Sequence, residues 1–552
     1  MPMKNLAKHL STKVTPQLAP IPGREAEMVR NEAGGYAFPV DDWVRLDRFL
    51  VLGSDGGAYY ASERQLTLDN ARCVERCVTD NGARTVARIA AVSESGRAPK
   101  NDPALLALAL AAKRGDEATR KAALEALPRV ARTATHLFAF AEAVEQLGGW
   151  GRGTKRAVAD WYRNRDLDAL TYQAVKYRQR NGWTHTDMLR LAHVEPPSSA
   201  YDALFRWIVR GETPDDGSQF RLLEGFNRVQ AAASAGDAAR LVLEYRLPRE
   251  AVPTQHLDSP DVWEALLVDM PMTALIRNLA TMTRVGLLTP RATATARVVE
   301  QVGDHLRLRK ARVHPMAVLI ALRTYASGRG LRGRNTWEPV QKIVDALDGA
   351  FYTTFDNVEP TGQRLLIGVD CSGSMMHGAV AGVPGLTPRE AAGAMALIAL
   401  RTEPKAEVIG FTVNAKDLRI SPRRRLDDAV KSIAAVARGE GTDCSIPMRW
   451  AIDRKADFDA FALYTDGQTW AGPQHPVQAM ATYRDIRVRT AKMVSVAFVG
   501  YGNSVVDGSD AGMLDIVGFD TAAPTLITDF LRGAPATEPT GPAAHNSDEQ
   551  DA

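Results

Sequence analysis

Two periods of apolar residues, met one after the other, decide most of what this 552-residue chain can fold into. From 36 to about 349 apolar residues recur every third or fourth position, as in DPALLALALAAKRG, TRKAALEALPRVA, THLFAFAEAVEQLGG and SPDVWEALLVDMPMTALIRNLATMT. That spacing lines one side of a helix, and two-residue alternation is almost absent. Pro103, Pro128, Gly148, Gly149, Gly182 and Pro196 punctuate the pattern. Helix pairs stacked in sequence with short turns make an α-solenoid, although no clean repeat period emerges. After a linker at 350–363 the period changes. Apolar runs of strand length appear at 365–369, 406–411, 460–464 and 494–499, separated by helical patterns such as PREAAGAMALIALRT and LDDAVKSIAAVARG. Strands alternating with helices make an open, mostly parallel sheet covered on both faces.

The chain is too long for one core. The expected division is an N-terminal arm at 1–35, a helical-repeat domain at 36–360, an α/β domain at 361–533 and a disordered tail at 534–552. The arm, rich in Pro, Gly and polar residues, reads as loosely ordered. No window approaches eighteen uninterrupted apolar residues, so no membrane span is expected. MPMKNLAKHLSTKV lacks the apolar core of a signal peptide, and four cysteines are too few for a disulfide scaffold. Cys73, Cys77, Cys371 and Cys444 read as reduced thiols of a cytoplasmic protein. The tail carries four acidic residues and no Lys or Arg, so a net charge of +3 leaves the body at +7. That is mildly basic, compatible with an acidic partner.

The basic character concentrates between Arg152 and Arg190, where nine Lys or Arg meet only four Asp. At its centre 176–193 reads KYRQRNGWTHTDMLRLAH. The expectation is a helical hairpin: one helix ending near Arg180 with Asn181-Gly182 as its left-handed cap, the next starting at Thr184 with Asp187 three residues on as an imperfect capping box. Leu170, Ala174 and Tyr177 would share the buried side, Lys176 and Arg180 another side, and Arg190 and His193 lie three apart on the second helix. Such donors suit phosphate oxygens. Trp161, Tyr162, Tyr172, Tyr177 and Trp183 are interleaved with them, a composition that suits base stacking on single-stranded or distorted nucleic acid. The competing interpretation is an ordinary solvated helix face.

In the α/β part the first strand runs into Asp370-Cys371-Ser372-Gly373-Ser374, and a later one ends at Asp466. Ligands of open α/β sheets sit outside the carboxyl ends of strands. Asp370, Ser372, Ser374 and Asp466 therefore fall where a site belongs, with Gly441-Thr442-Asp443 on a loop between them. Hydroxyl and carboxylate oxygens on one edge suit a divalent hard cation, Mg²⁺ with waters retained. The plain alternative is a Ser-rich turn capping a helix. A hydrolase reading fails because the G-x-S-x-G elbow is missing and His377 follows Ser372 too closely. Cys371 beside a carboxylate has its thiol pKa raised, which argues against a catalytic thiol. D-x-S-x-S followed by a Thr and a strand-end Asp resembles the metal-ion-dependent adhesion site of von Willebrand factor A domains. That resemblance implies Ser372, Ser374 and Thr442 as direct ligands, with Asp370 and Asp466 supporting.

The order THLFAF, GRGTKRAVADWY, KYRQRNGWTHTDMLRLAHV, MPMTALIRNL, HPMAVLIALRTYASGRGLRG and GTDCSIPMRWA resembles the Ro autoantigen family of TROVE-domain proteins, from about 34 to 530. The resemblance implies a HEAT-like solenoid ring closed by a doubly wound von Willebrand A domain. It implies binding of Y-type small noncoding RNAs on the outer surface and of single-stranded ends of misfolded RNAs in the hole. In bacterial members the RNA tethers the ring to polynucleotide phosphorylase. Lys176, Arg180 and His193 stand at the family's RNA-contact positions, and Arg190 and Arg152 extend that basic set. A noncatalytic RNA-binding protein of RNA quality control is thus expected. The alternatives are a metal-dependent protein-binding adaptor and a metal-dependent nuclease, the latter disfavoured because no carboxylate cluster could hold two metals.

Overall fold

A computed structural model describes residues 14–52, 63–94, 100–215, 219–311, 313–330, 335–377, 380, 386–436, 440–499, 501–517 and 523–532. The expected acidic tail lies outside the described residues. The chain divides into two compact units, and the division is not sequential. One unit takes in 74–96 and 101–354; the other joins residues up to 73 and 97–100 to 355–541. The first is thus inserted into the second along the sequence.

The inserted unit is a succession of helices, each packed on neighbours close in sequence. Asp102–Arg114 packs on Glu117–Val130 and on Ala134–Gln146, Ala235–Tyr245 on Pro260–Leu267, and Pro315–Ala326 on Gln341–Thr353. Short polar side chains start many of them. Asp116 accepts the Thr119 amide, Asp166 those of Asp168 and Ala169, and Ser234 that of Asp237. Each such cap occupies an amide that a helix start leaves unpaired and contributes about 1 kcal/mol. Pro103 starts a helix as punctuation should, whereas Pro128 sits in the last turn of Glu117–Val130. SPDVWEALLVDMPMTALIRNLATMT becomes two helices, Pro260–Leu267 and Met272–Arg284, with Pro271 capping the second.

The core of this unit holds large side chains, among them Phe138, Phe140, Trp161 and Tyr162, all fully buried. His185 is buried with them. Its Nδ1 lies 2.7 Å from the Tyr162 hydroxyl, and its Nε2 lies 3.4 Å from the Gln173 carbonyl. A neutral ring protonated on Nε2 satisfies both. Burial pushes its pKa down to about 4, against the opposing pull of the Gln173 carbonyl. His314 is likewise pushed down to about 4 by burial.

The second unit is a six-stranded sheet in the order Met513–Val517, Lys492–Ala497, Ala460–Thr465, Leu365–Asp370, Ala406–Phe411, Ala415–Lys416. All neighbours are parallel except the last pair. Every residue of the two central strands is buried, which fits their unbroken apolar sequence. Helices Pro388–Thr402, Leu426–Val436, Ile446–Asp453 and Pro476–Ile486 lie between the strands in sequence.

Three sequence expectations are corrected here. The segment before 36 is not loose where it is described. Ile21 and Met28 enter the α/β core, and Gln17 is fully buried. The helical run does not begin at 36 either. Tyr36–Pro39 is a strand, antiparallel to Val29–Arg30 and to Asn503–Ser504, and helix Asp42–Leu52 follows it onto Met513–Val517. The buried Arg48 fixes that helix, donating to the carbonyls of Tyr501 and Asn503 and pairing with Asp515. The 350–363 segment is no free linker: helix Gln341–Thr353 occupies its start, and the Glu403 carboxylate accepts the amides of Thr361 and Gly362. Among the described residues no helix is long and apolar enough to cross a membrane.

The buried histidines give the helical unit a pH dependence whose sign is fixed. Their folded pKa lies below the ordinary value of 6.5, so the unfolded chain takes up protons first. Stability is full above pH 6.5 and falls as pH drops towards 4, by about 3 kcal/mol for each ring. Denaturant unfolding followed between those limits should show this loss, and His185→Gln should make it shallower.

Candidate functional site

The basic segment folds differently from a simple helical hairpin. The first helix, Leu167–Lys176, stops four residues before Arg180. Gln179–Arg180 and Trp183–Thr184 then form a two-stranded antiparallel hairpin. Asn181 and Gly182, with φ of 51° and 82°, are its turn rather than a helix cap. Two successive left-handed residues match the twist of paired strands, which is why Asn-Gly made a hairpin here. Thr184 does cap the second helix, His185–Ala192, in a full capping box with Asp187. Leu170, Ala174 and Tyr177 are all buried, as their spacing requires.

The cationic side chains follow from that frame. Lys176 is half-buried, its Nζ 5.3 Å from the centre of the Tyr172 ring and 5.0 Å from that of Tyr177. Burial pulls its pKa down, but the Tyr177 and Tyr172 hydroxyls outweigh this and the net shift is upward. Lys176 and Arg180 do not share a helix face, because Arg180 is on the hairpin, where it pairs with Asp102 at 2.7 Å. Arg190 is exposed in the last turn of its helix, and His193 is exposed at its end in the left-handed conformation, φ 49°. Arg152 is exposed at the first position of helix Arg152–Arg163. There it meets the positive end of the helix dipole, a poor place for a cation unless an anion joins it.

The aromatic residues mostly do not offer stacking faces. Trp161, Tyr162 and Tyr177 are core residues, and Tyr172 lies under Lys176. Trp183 is partly exposed; its indole donates to Glu142 and its ring lies 5.8 Å from that of Trp150. One further cation is Arg178, exposed on the same stretch and set over the Phe226 ring at 5.0 Å. It stands in the same run of basic residues but was not singled out by spacing.

On the sheet edge four of the five expected metal residues come together. Parallel pairing sets Val369 beside Tyr464, so Asp370 and Asp466 end adjacent strands. Asp370 is fully buried; its Oδ1 accepts the Ser372 amide at 2.8 Å and its Oδ2 accepts the Thr465 hydroxyl at 2.7 Å. The Ser372 and Ser374 hydroxyls lie 3.1 Å apart. Asp466 accepts the Gln468 amide through Oδ1 at 3.1 Å, and the nearby Ser374 side chain pulls its pKa down. Thr442 is buried on the adjoining loop, where its carbonyl accepts the amides of Trp470 and Ala471. Burial, and then the charge of Asp466, holds the Asp370 carboxyl well above the usual carboxylate range. Burial raises Asp466 too. Cys371 beside them is pushed up to about 12, by burial first and by Asp370 second, which leaves an inert thiol.

Two residues at this edge carried no sequence signal that was used. Thr465 is seen only through its bond to Asp370, and the buried Arg389 comes from helix Pro388–Thr402 to donate to the Ser372 carbonyl at 3.3 Å. The donor set fits a hard cation on one observation. Asp466 Oδ2 is buried and has no hydrogen-bond partner among the described residues. An orphaned carboxylate oxygen beside a second buried carboxylate is costly, and a cation removes the cost. Among the described residues no three His, Cys, Asp or Glu side chains gather where a metal could sit. A cation at this edge would meet hydroxyls, with the two carboxylates close by to balance its charge.

Comparison with known proteins agrees with this architecture. The TROVE domain model matches residues 29–213 and 217–324, and the Ro60 vWA domain model matches 364–531. The RNA-binding protein RO60 of Deinococcus radiodurans is 44% identical over 534 residues, covering 96% of this chain and all of that one. The RNA-binding protein RO60 of Caenorhabditis elegans is 34% identical over 584 residues, covering 92% of this chain and 90% of that one. The crystal structure of the Deinococcus radiodurans RO (RSR) protein superposes with a TM-score of 0.73 at 44% identity, over 89% of this chain and 99% of that one. A helical-repeat unit inserted in sequence within an α/β unit, matched by both domain models and by near-full-length relatives, places this chain in the Ro60 family of TROVE-domain proteins.

Proposed function

We propose that this chain is a noncatalytic RNA-binding protein. It takes Y-type small noncoding RNAs and the single-stranded ends of misfolded RNAs, and it serves RNA quality control. The similarity to relatives named for RNA binding supports this, and one observation within the chain carries it. Arg152, Arg178, Arg190 and His193 are all exposed along one continuous stretch whose large aromatic side chains are mostly turned inward. A surface so arranged favours phosphate contacts over base stacking, so affinity should depend steeply on salt and weakly on sequence. Lys176, held charged between two tyrosines, and Arg180, which must exchange Asp102 for phosphate, complete the set.

The von Willebrand A edge would hold Mg²⁺ through Ser372, Ser374 and Thr442, with Asp370 and Asp466 supporting. When bound, the ion supplies positive charge and an open position for an external oxygen ligand. This chain's own part is to keep the two carboxylates buried and to orient that of Asp370 through the Thr465 hydroxyl and the Ser372 amide. With so few carboxylates, two metals have no place and cleavage of RNA is not expected.

Three measurements test this reading. Replacing Lys176 and Arg190 together by Ala should weaken binding of a structured small RNA by roughly tenfold or more and flatten the salt slope by about one to two. Unchanged filter binding and slope would remove the surface assignment. Labelled RNA incubated with the protein and Mg²⁺ should stay intact. Mg²⁺ at a hundredfold excess over its Kd should stabilise the α/β unit by about 3 kcal/mol, an effect that EDTA and Asp466→Asn abolish. Loss of a protein partner in EDTA, with RNA binding intact, would favour the adaptor reading instead.

A further inference from the structure

The loops that carry Thr442 and Asp466 are bonded to each other, through the Thr442 carbonyl and the amides of Trp470 and Ala471, and residues 14–39 bond to both. Gln17 is fully buried between the two loops. Its Nε2 donates to Asp443 Oδ1 at 2.6 Å and to the Gln474 carbonyl at 2.8 Å, and its Oε1 accepts the Thr469 hydroxyl at 2.5 Å. Thr469 Oγ1 in turn accepts the Cys444 amide at 3.1 Å. One carboxamide therefore ties the residue after Thr442 to the segment after Asp466. The backbone repeats the tie: the Gln17 amide donates to the Gly472 carbonyl, and the Gln17 carbonyl accepts the Tyr36 amide.

A second contact lies further along the same segment. Asn31 Nδ2 donates to the Thr469 carbonyl at 2.7 Å, and the Ala33 amide donates to Gln468 Oε1 at 3.2 Å. Gln468 is the residue whose own amide bonds Asp466 Oδ1. Glycines allow the layers to approach this closely. A Cβ on Gly35 would lie 2.2 Å from the Thr469 carbonyl oxygen, and one on Gly472 would lie 2.3 Å from Asp443 Oδ1. No residue with a side chain fits at either place.

We propose that residues 14–39 form a strap that sets the geometry of the candidate cation site, with Gln17 and Asn31 as its positioning residues, so that strap docking and cation binding strengthen each other. This rests on the cation reading given above. Neither residue touches the proposed ligand oxygens; each acts through a loop. Coupling of this kind is reciprocal, so a strap that raises cation affinity must itself be held more firmly when the cation is present. A merely structural strap would be held no more firmly than the rest of the α/β unit.

The test uses the full chain, with Mn²⁺ as the probe followed by electron paramagnetic resonance. Gln17→Met keeps the bulk and removes the hydrogen bonds; Asn31→Ala cuts the second contact. Arg24→Ala is the control, since Arg24 lies on the same segment but pairs with Asp507 and Glu27, away from both loops. We expect Gln17→Met to weaken Mn²⁺ binding about tenfold, Asn31→Ala to weaken it less, and Arg24→Ala to leave it unchanged even where it lowers the melting temperature. In the wild-type chain, Mn²⁺ or Mg²⁺ should slow amide hydrogen exchange at Gly35 and Tyr36. If Gln17→Met does not fold, Asn31→Ala and the exchange measurement carry the test. Wild-type affinity in both strap variants, or exchange indifferent to the cation, overturns the strap while the cation reading stands. A wild-type chain that takes up no Mn²⁺ overturns both.

Discussion

The parallel pairing of Leu365–Asp370 with Ala460–Thr465 is the constraint on which the α/β unit depends. Both strands are buried along their whole length, so their register cannot slip without moving every side chain to the wrong face. That register brings two aspartates to one edge, out of water and close enough for the charge of one to raise the pKa of the other. Apolar burial thereby forces an electrostatic problem onto the sheet's carboxyl end. Hydroxyls from Ser372, Ser374 and Thr465 answer part of it, and the orphaned oxygen of Asp466 marks what they leave unanswered.

The helical unit solves the opposite problem. Its interior is neutral, including the rings of His185 and His314, and its charge is on the surface. The hairpin at 179–184 is joined to this interior at both ends. Tyr177 precedes it in the core, and His185, which follows it, bonds to Tyr162 and faces the Gln173 carbonyl. The exposed cations around it thus project from a stretch anchored at each side, which lowers the ordering cost when a polyanion binds.

Much of this was legible because it is local. Helix Pro388–Thr402 and strand Ala406–Phe411 stand where their apolar spacing put them, and the Thr184 capping box is readable from four residues. The strand expected at 494–499 lies at Lys492–Ala497; the Phe498 amide still bonds the Thr465 carbonyl, and Val499 carries the apolar run beyond it. What was not legible depends on distant partners. Nothing near Tyr36 announces that it pairs beside Asn503–Ser504, and a lone Gln17 in a Pro-rich stretch gives no sign of three buried hydrogen bonds. At the metal edge, motif order found Asp370, Ser372, Ser374 and Asp466 together, but Thr465 and Arg389 entered only through three-dimensional neighbours.

The nested arrangement of the two units has a consequence for how the chain is made. Thr15 and its partner Gln478 are 463 residues apart in sequence. At ribosomal speeds of about 5–20 residues per second, roughly half a minute to a minute and a half separates their emergence. During that interval the helical unit is complete and outside the ribosome, while the first strand of the other unit waits without the edge it will join. The early segment's high content of proline, glycine and charge keeps it from pairing elsewhere meanwhile. The α/β unit can be completed only in the last third of translation.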